Sequence, residues 1–348
     1  MVAVKKEGIV IHKSGLPFEI EGVLNPAVIA IGNDIHVFPR SVGNGNFSTI
    51  GYCRLSDPTT ITYRLKEPFL SPQHEYESHG MEDARIVKID GLYYLSYTAY
   101  DGINAMGALA ISKDLEHFEK KGIIVPQVSI NTFLGHIKNC KCYLRYVESI
   151  KHLPPVKPDS LHHSPLLWDK NLIFFPRRIN GQLYFLHRIK PDIQISAVNN
   201  IEELTAEYWN DYLNNFDDGI FLASKYQHEK SYVGGGCPPI ETDAGWLIIY
   251  HGVETNETGN IYSACVALFD LDNPQKEIAR LPYPLFSPEE KWEVEGEVNN
   301  VCFPTGAVLK GDELFIYYGA ADEHIALCSV KLSELITDLL KNKTQDEK

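Results

Sequence analysis

Asp90-Gly91-Leu92-Tyr93-Tyr94-Leu95-Ser96-Tyr97 is a tight turn that feeds an aromatic-rich strand, and it is one of five such stretches. The others are Gly32-Asn33-Asp34-Ile35-His36-Val37-Phe38, Asn180-Gly181-Gln182-Leu183-Tyr184-Phe185-Leu186-His187, Ala244-Gly245-Trp246-Leu247-Ile248-Ile249-Tyr250-His251 and Lys310-Gly311-Asp312-Glu313-Leu314-Phe315-Ile316-Tyr317-Tyr318. Each turn carries the Gly, Asn or Asp that a tight hairpin with positive φ requires. Short apolar runs stand before the turns, as at 26–31, 84–89, 172–177 and 305–309, and a second hairpin-like run follows several of them, as at 108–112 and 264–269.

The turn glycines 32, 91, 181, 245 and 311 are 59, 90, 64 and 66 residues apart. Four strands with their loops fill roughly 50–65 residues, so each repeat reads as one four-stranded blade. The pattern predicts an all-β fold, a five-bladed β-propeller, with blades over 20–330 in one domain of 1–348. The long second interval predicts an insertion near 151–164, and helical periodicity predicts helices over 201–214 and in the tail from 331 to 341. A large β-sandwich is the alternative architecture, but it gives no reason for five similar hairpins at this spacing. A propeller places its ligand in the central channel.

The chain has 348 residues, 44% of them hydrophobic and 22% charged, enough for a substantial core. A net charge of −14 argues against nucleic-acid binding, though not against a local basic pocket. The N-terminal stretch lacks an apolar signal core, and no run suits a membrane span. The seven cysteines have no disulfide-scaffold spacing, which fits a cytoplasmic protein. Cys140-Lys141-Cys142 reads as part of a strand rather than a zinc knuckle, and no metal site or cofactor is expected.

Three polar clusters stand out. Glu75 to Arg85 precedes the second repeat, and its adjacent Glu82 and Asp83 cannot both face inward on a regular strand. One is expected in the channel, the other behind it or paired with Arg85. Arg177-Arg178 and His187-Arg188 flank the third hairpin and suit a phosphate or carboxylate. Gly234-Gly235-Gly236 reads as room for close approach of backbone to a sugar or anion, with Tyr250-His251-Gly252 beyond it. Phe303 and the run from Tyr317 to Asp322 offer rim residues.

Together, Leu24-Asn25-Pro26-Ala27, Gly80-Met81-Glu82-Asp83-Ala84-Arg85-Ile86, Tyr97-Thr98-Ala99-Tyr100, Phe175-Pro176-Arg177-Arg178-Ile179, Leu186-His187-Arg188, Tyr250-His251-Gly252 and Phe303-Pro304-Thr305-Gly306 resemble glycoside hydrolase family 130, over roughly 20–330. The resemblance implies a five-bladed propeller that acts on β-mannosides with inversion. It places the catalytic acid on Asp83, relaying its proton through a mannose hydroxyl while inorganic phosphate attacks from the opposite face. It places phosphate on Arg178, Arg188 and His251. Asn25, Arg40, Glu82, Arg85, Tyr100 and Asp322 are expected to contact the sugar. Phosphate serves as co-substrate, and the partner is a small mannose-containing oligosaccharide. A homo-oligomer is compatible with the sequence.

The departures point the other way. Ala84 stands where the family carries Pro, Arg177 replaces an acid, and Met106 falls near the position of a family phosphate-binding Arg. An inverting β-mannosidase therefore remains open, with Glu148, Glu241 or Glu254 activating water. So does a non-catalytic carbohydrate-binding propeller, which would not need Asp83.

Overall fold

The computed structural model describes residues 2–151, 165–257 and 259–344. The architecture is all-β, with 22 strands and few helices among the described residues. Apart from one short linking strand, the strands fall into five antiparallel units, four of them four-stranded and one five-stranded. The first runs Gly22–Ile31, Asp34–Gly43, Cys53–Leu55 and Ile61–Arg64. The second runs Gly80–Ile89, Leu92–Tyr100, Ala105–Ser112 and Glu119–Ile123. The short strand Phe47–Ile50 joins these two into one sheet through a parallel Ser48–Gly80 bridge. The third comprises Lys170–Phe174, Leu183–Arg188, Ile193–Val198 and Ile220–Leu222. In the fourth, Tyr232–Gly235 and Ile240–Thr242 share the partner Gly245–Asn256, followed by Gly259–Phe269 and Glu277–Arg280. The last unit orders Cys302–Lys310, Glu313–Ala320 and His324–Lys331, and its outer strand is the N-terminal Val4–Ile11.

The first strand of each unit packs on its neighbours: Gly22–Ile31 on Gly80–Ile89 and on Cys302–Lys310, Gly80–Ile89 on Lys170–Phe174, and Lys170–Phe174 on Tyr232–Gly235. Apolar residues alternate along the strands and fill the spaces between units, with Ile249, Val266, Ile316 and Cys328 in one cluster and Ile86, Leu95 and Ala108 in another. Such burial on both faces explains why the strands read as nearly continuous apolar runs.

The predicted helices appear as Ala206–Asn214, begun by the Thr205 hydroxyl accepting from the Tyr208 N–H, and Leu332–Lys341. Most of the expected insertion at 151–164 lies outside the described residues. The long interval also holds helices Ile130–Ile137 and Tyr143–Lys151, which the strand-based reading did not foresee. Cys140-Lys141-Cys142 is accordingly a turn between those helices and not a strand. The Asp217 carboxylate accepts from the Lys141 and Cys142 N–H groups at 2.7 and 3.1 Å and fixes that turn.

Candidate active site

The first strands of three units share one irregularity. Register slips between Leu24 and Ala27, between Glu82 and Arg85, and between Lys170 and Ile173. Each slip holds a residue in the left-handed region: Asn25 at φ 44°, Asp83 at φ 48° and Asn171 at φ 53°. Asn and Asp are the side-chain-bearing residues that tolerate this conformation best. A bulge also re-aims a side chain that a regular pleat would point elsewhere. All three converge on one cavity of about 210 Å³, lined also by Arg40, Lys170, Arg188, His251, Tyr262, Val298, Val301, Phe303 and Asp322.

The bulge resolves the Glu82–Asp83 question. Asp83 lines the cavity and accepts from the Asn25 amide at 2.8 Å and from Arg40 at 3.5 Å. Glu82 stands beside it and pairs with Arg40 at 3.1 Å and Lys170 at 3.0 Å. Burial pushes the Asp83 carboxyl up, but Arg40, Lys170 and Arg85 with the Asn25 bond outweigh it and hold it below its ordinary value. Asp322 goes the other way. Burial, reinforced by Asp83 and Glu82 against the pull of Arg40, pushes it up to about 6. The two cavity carboxylates are thus set apart by their surroundings, the pattern expected of groups with different proton tasks.

The opposite wall is basic. Lys170 and Arg188 are cross-strand partners at the open end of the third hairpin. The Arg188 guanidinium is buried, has no carboxylate within salt-bridge distance among the described residues, and leaves its Nε without a hydrogen-bond partner. Both ring nitrogens of buried His251 also lack partners there. Burial, aided by Arg188, Arg85 and Lys190, holds His251 well below its ordinary pKa, so it is a neutral imidazole. Lys190, over the Tyr232 ring at 3.7 Å, is pushed down to about 7 by burial and by Arg188 and Lys170. An unpaired buried cation is costly, and Arg188 with Lys170 opposite it can hold an anion.

A buried chain supports this wall. Asp169 accepts from the Arg188 backbone N–H at 3.1 Å and meets His187 Nδ1 at 2.7 Å, while His187 Nε2 meets the Tyr212 hydroxyl at 3.0 Å. Asp169 is also tied to the second unit, accepting at its carbonyl from the Gly107 N–H at 2.8 Å.

Several sequence expectations need correction. Arg178 is not at the cavity. It occupies the turn end of the hairpin whose open end carries Lys170 and Arg188, and it bonds Asp90 and the carbonyls of Gly181 and Asn199. Arg85 lies beneath the cavity rather than in it, donating to the carbonyls of Asp83 and Gly236 at 2.6 Å and of Gly235 at 3.3 Å. Tyr100 stays outside the lining, donating to the Gly102 carbonyl at 3.0 Å. Gly234 makes room for protein and not ligand: a Cβ there would come within 2.4 Å of the His251 ring. Tyr317 and Tyr318 are core residues bonded to Pro58 and Glu293, and of that run Asp322 reaches the lining. None of the expected water-activating carboxylates lines the cavity: Glu148 bonds Lys151, Glu241 pairs with Arg177, and Glu254 accepts from Gln227. Met106 is buried in the core between the second and third units. Asn25, Arg40, Asp83, Arg188, His251 and Asp322 do meet in the cavity, whereas Lys170, Asn171 and Tyr262 in its lining, and Lys190 behind it, were missed. The recurrence of an Asx residue just before each apolar run (Asn25, Asp83, Asn171) was the available signal for Asn171, and Lys170 precedes it.

A family model for β-1,4-mannooligosaccharide phosphorylase matches residues 6–342. The chain belongs to glycoside hydrolase family 130. It is 31% identical over 337 residues to a 1,2-β-oligomannan phosphorylase of Thermoanaerobacter sp. (strain X514), covering 94% of this chain and 96% of the relative. A solved structure of β-1,2-mannobiose phosphorylase from Listeria innocua, with β-1,2-mannobiose, matches 97% of this chain and 99% of its own at a TM-score of 0.69 and 23% identity. A second solved structure, described among family-130 hydrolases that target β-1,2-mannosidic linkages in Candida mannan, matches with TM-score 0.71 and 22% identity over 95% of this chain and 94% of its own. At such identities these structural likenesses speak for a shared family-130 fold.

Proposed function

We propose that this family-130 member is an inverting mannoside phosphorylase that transfers a β-linked mannosyl residue to inorganic phosphate. Buried, unpaired Arg188 carries the reading, because a hydrolase using neutral water has no need of an uncompensated cation facing its acid. Phosphate sits between Arg188, Lys170 and His251, with Lys190 adding positive field from behind Tyr232. The mannosyl ring sits against Asn25, Arg40 and Asp322.

A phosphate oxygen attacks the anomeric carbon as the glycosidic C–O bond breaks. The leaving oxygen takes a proton from Asp83, relayed through a mannose hydroxyl, and the products are α-mannose 1-phosphate and the shortened saccharide. No enzyme base is needed, since phosphate arrives as an anion. The depressed Asp83 pKa fits an acid that is loaded late: phosphate offsets the field of Lys170, and the sugar excludes water, so both raise its proton affinity.

The hydrolase reading keeps one observation in its favour, since Asp322 shares the cavity with Asp83 and could orient water. Turnover of β-1,2- and β-1,4-mannobiose with and without phosphate separates the two. Mannose 1-phosphate formed only with phosphate supports phosphorolysis. Free mannose at the same rate without phosphate overturns it.

We further propose that the five units close as a five-bladed propeller within one catalytic domain, supported by the successive packing of the first strands and by Val4–Ile11 completing the last unit. The reaction as proposed needs no cofactor beyond phosphate. The seven cysteines are free, which fits a reducing cytoplasm. No helix among the described residues is long and apolar enough to cross a membrane.

A further inference from the structure

The cavity is smaller than the roughly 300–1,000 Å³ of pockets that enclose a drug-sized ligand. At about 210 Å³ it has room for the reacting centre and little else. Sugars beyond the cleaved bond must therefore lie on its rim, where an exposed and pre-oriented aromatic face would hold them.

Trp168 supplies one. It stands two residues before Lys170 and is 38% exposed. Its indole N–H donates to the Ile103 carbonyl at 2.8 Å, which fixes the ring's orientation. Tyr100 packs edge-on against it at 6.4 Å between centroids, and the Lys170 ammonium lies 5.8 Å from its ring centre. Tyr100 is itself held by its bond to Gly102. The indole is thus immobilised from two sides beside a residue that lines the cavity. A large exposed apolar ring next to a polar site is a binding feature rather than core, and prior fixation removes the ordering cost of using it.

We propose that Trp168 is a stacking platform for a mannosyl residue of the substrate outside the cavity, and that it makes the enzyme prefer oligomannosides over the disaccharide. The apolar C–H face of the pyranose lies on the indole, while its hydroxyls remain in water or reach Lys170. This assignment rests on the mannoside reading above.

The test compares wild type, Trp168→Ala and Trp168→Phe by calorimetric titration with β-mannobiose and β-mannotetraose, in both β-1,2 and β-1,4 forms. Trp168→Ala is expected to weaken tetraose binding about tenfold while leaving mannobiose within about twofold, with Trp168→Phe in between. Equal weakening for both lengths, or unchanged tetraose affinity, would overturn the platform. Phosphate-dependent turnover of mannobiose is measured in parallel on the same samples. Its absence in wild type would bring down the phosphorylase reading, while the length dependence of binding would still decide the role of Trp168.

Discussion

The side-chain amide of Asn25 donates to the carboxylate of Asp83 across 2.8 Å, and both residues hold left-handed backbone on adjacent first strands. Each is where it is because a bulge turns it inward. Asn shares the Asx tolerance for this conformation, so Asp83→Asn preserves the bulge. It is expected to lower phosphorolysis by about a thousandfold or more while sugar affinity and Tm change little. Turnover and calorimetry on one preparation check this, and retained turnover would remove Asp83 as the proton donor.

Arg188 is buried without a counter-ion among the described residues, so an anion that binds beside it should stabilise the protein. Phosphate is expected to raise Tm in wild type. In Arg188→Met the Tm without phosphate should equal or exceed that of wild type, because an unpaired buried charge has been removed. The phosphate-induced rise should shrink, and KM for phosphate should increase about 10- to 100-fold. Scanning fluorimetry across a phosphate series reads the Tm effects, and initial rates over the same series read KM.

Arg178 gives the complementary control. Its bonds to Asp90, Gly181 and Asn199 belong to the far turn of the hairpin. Arg178→Ala should leave KM for phosphate within about twofold of wild type. A rise comparable to that of Arg188→Met would return Arg178 to the phosphate site.

Lys190 makes stability depend on pH. Its folded pKa of about 7 lies below the ordinary 10.5, so the folded protein binds fewer protons than the unfolded chain in this window. Its contribution is most favourable above pH 10.5 and is lost as pH falls towards 7. Lys190→Met should therefore be more stable than wild type at about pH 6.5, by at least about 2 °C in Tm, with the advantage shrinking as pH approaches about 10. An advantage independent of pH would mean that the Lys190 pKa is not lowered by its surroundings.

Asp169 ties Arg188 to the second unit. Asp169→Ala strands the His187 and Arg188 donors and should cost about 2–5 kcal/mol in denaturant unfolding. Asp169→Asn keeps an acceptor and should recover most of that stability, yet still raise KM for phosphate through the altered His187 bond.

The hairpin turns were legible because tight turns demand particular residues, and Gly91 and Gly181 hold positive φ as their turns require. Asp83 and His251 were legible through their motifs. Arg178 was misplaced because Arg177-Arg178 and Arg188 flank one hairpin, and strand register alone says which end faces the cavity. Lys170 and Asn171 were missed because a bulge leaves no periodic trace; its sign is an Asx residue that interrupts a strand. The helix Ile130–Ile137 carries a local start signal, with the Ser129 hydroxyl accepting from the Thr132 N–H, but that signal was lost inside an interval assigned to strands.

The pairing of Val4–Ile11 with His324–Lys331 joins segments more than 300 residues apart. Asp322 lies just before His324–Lys331, so during synthesis the cavity cannot acquire its second carboxylate until that segment has emerged from the ribosome. The first strand must wait, unpaired, through that time. Its charged run Lys5-Lys6-Glu7 keeps it soluble while it waits, and a chain deprived of it would present His324–Lys331 as an open edge for other molecules to pair with.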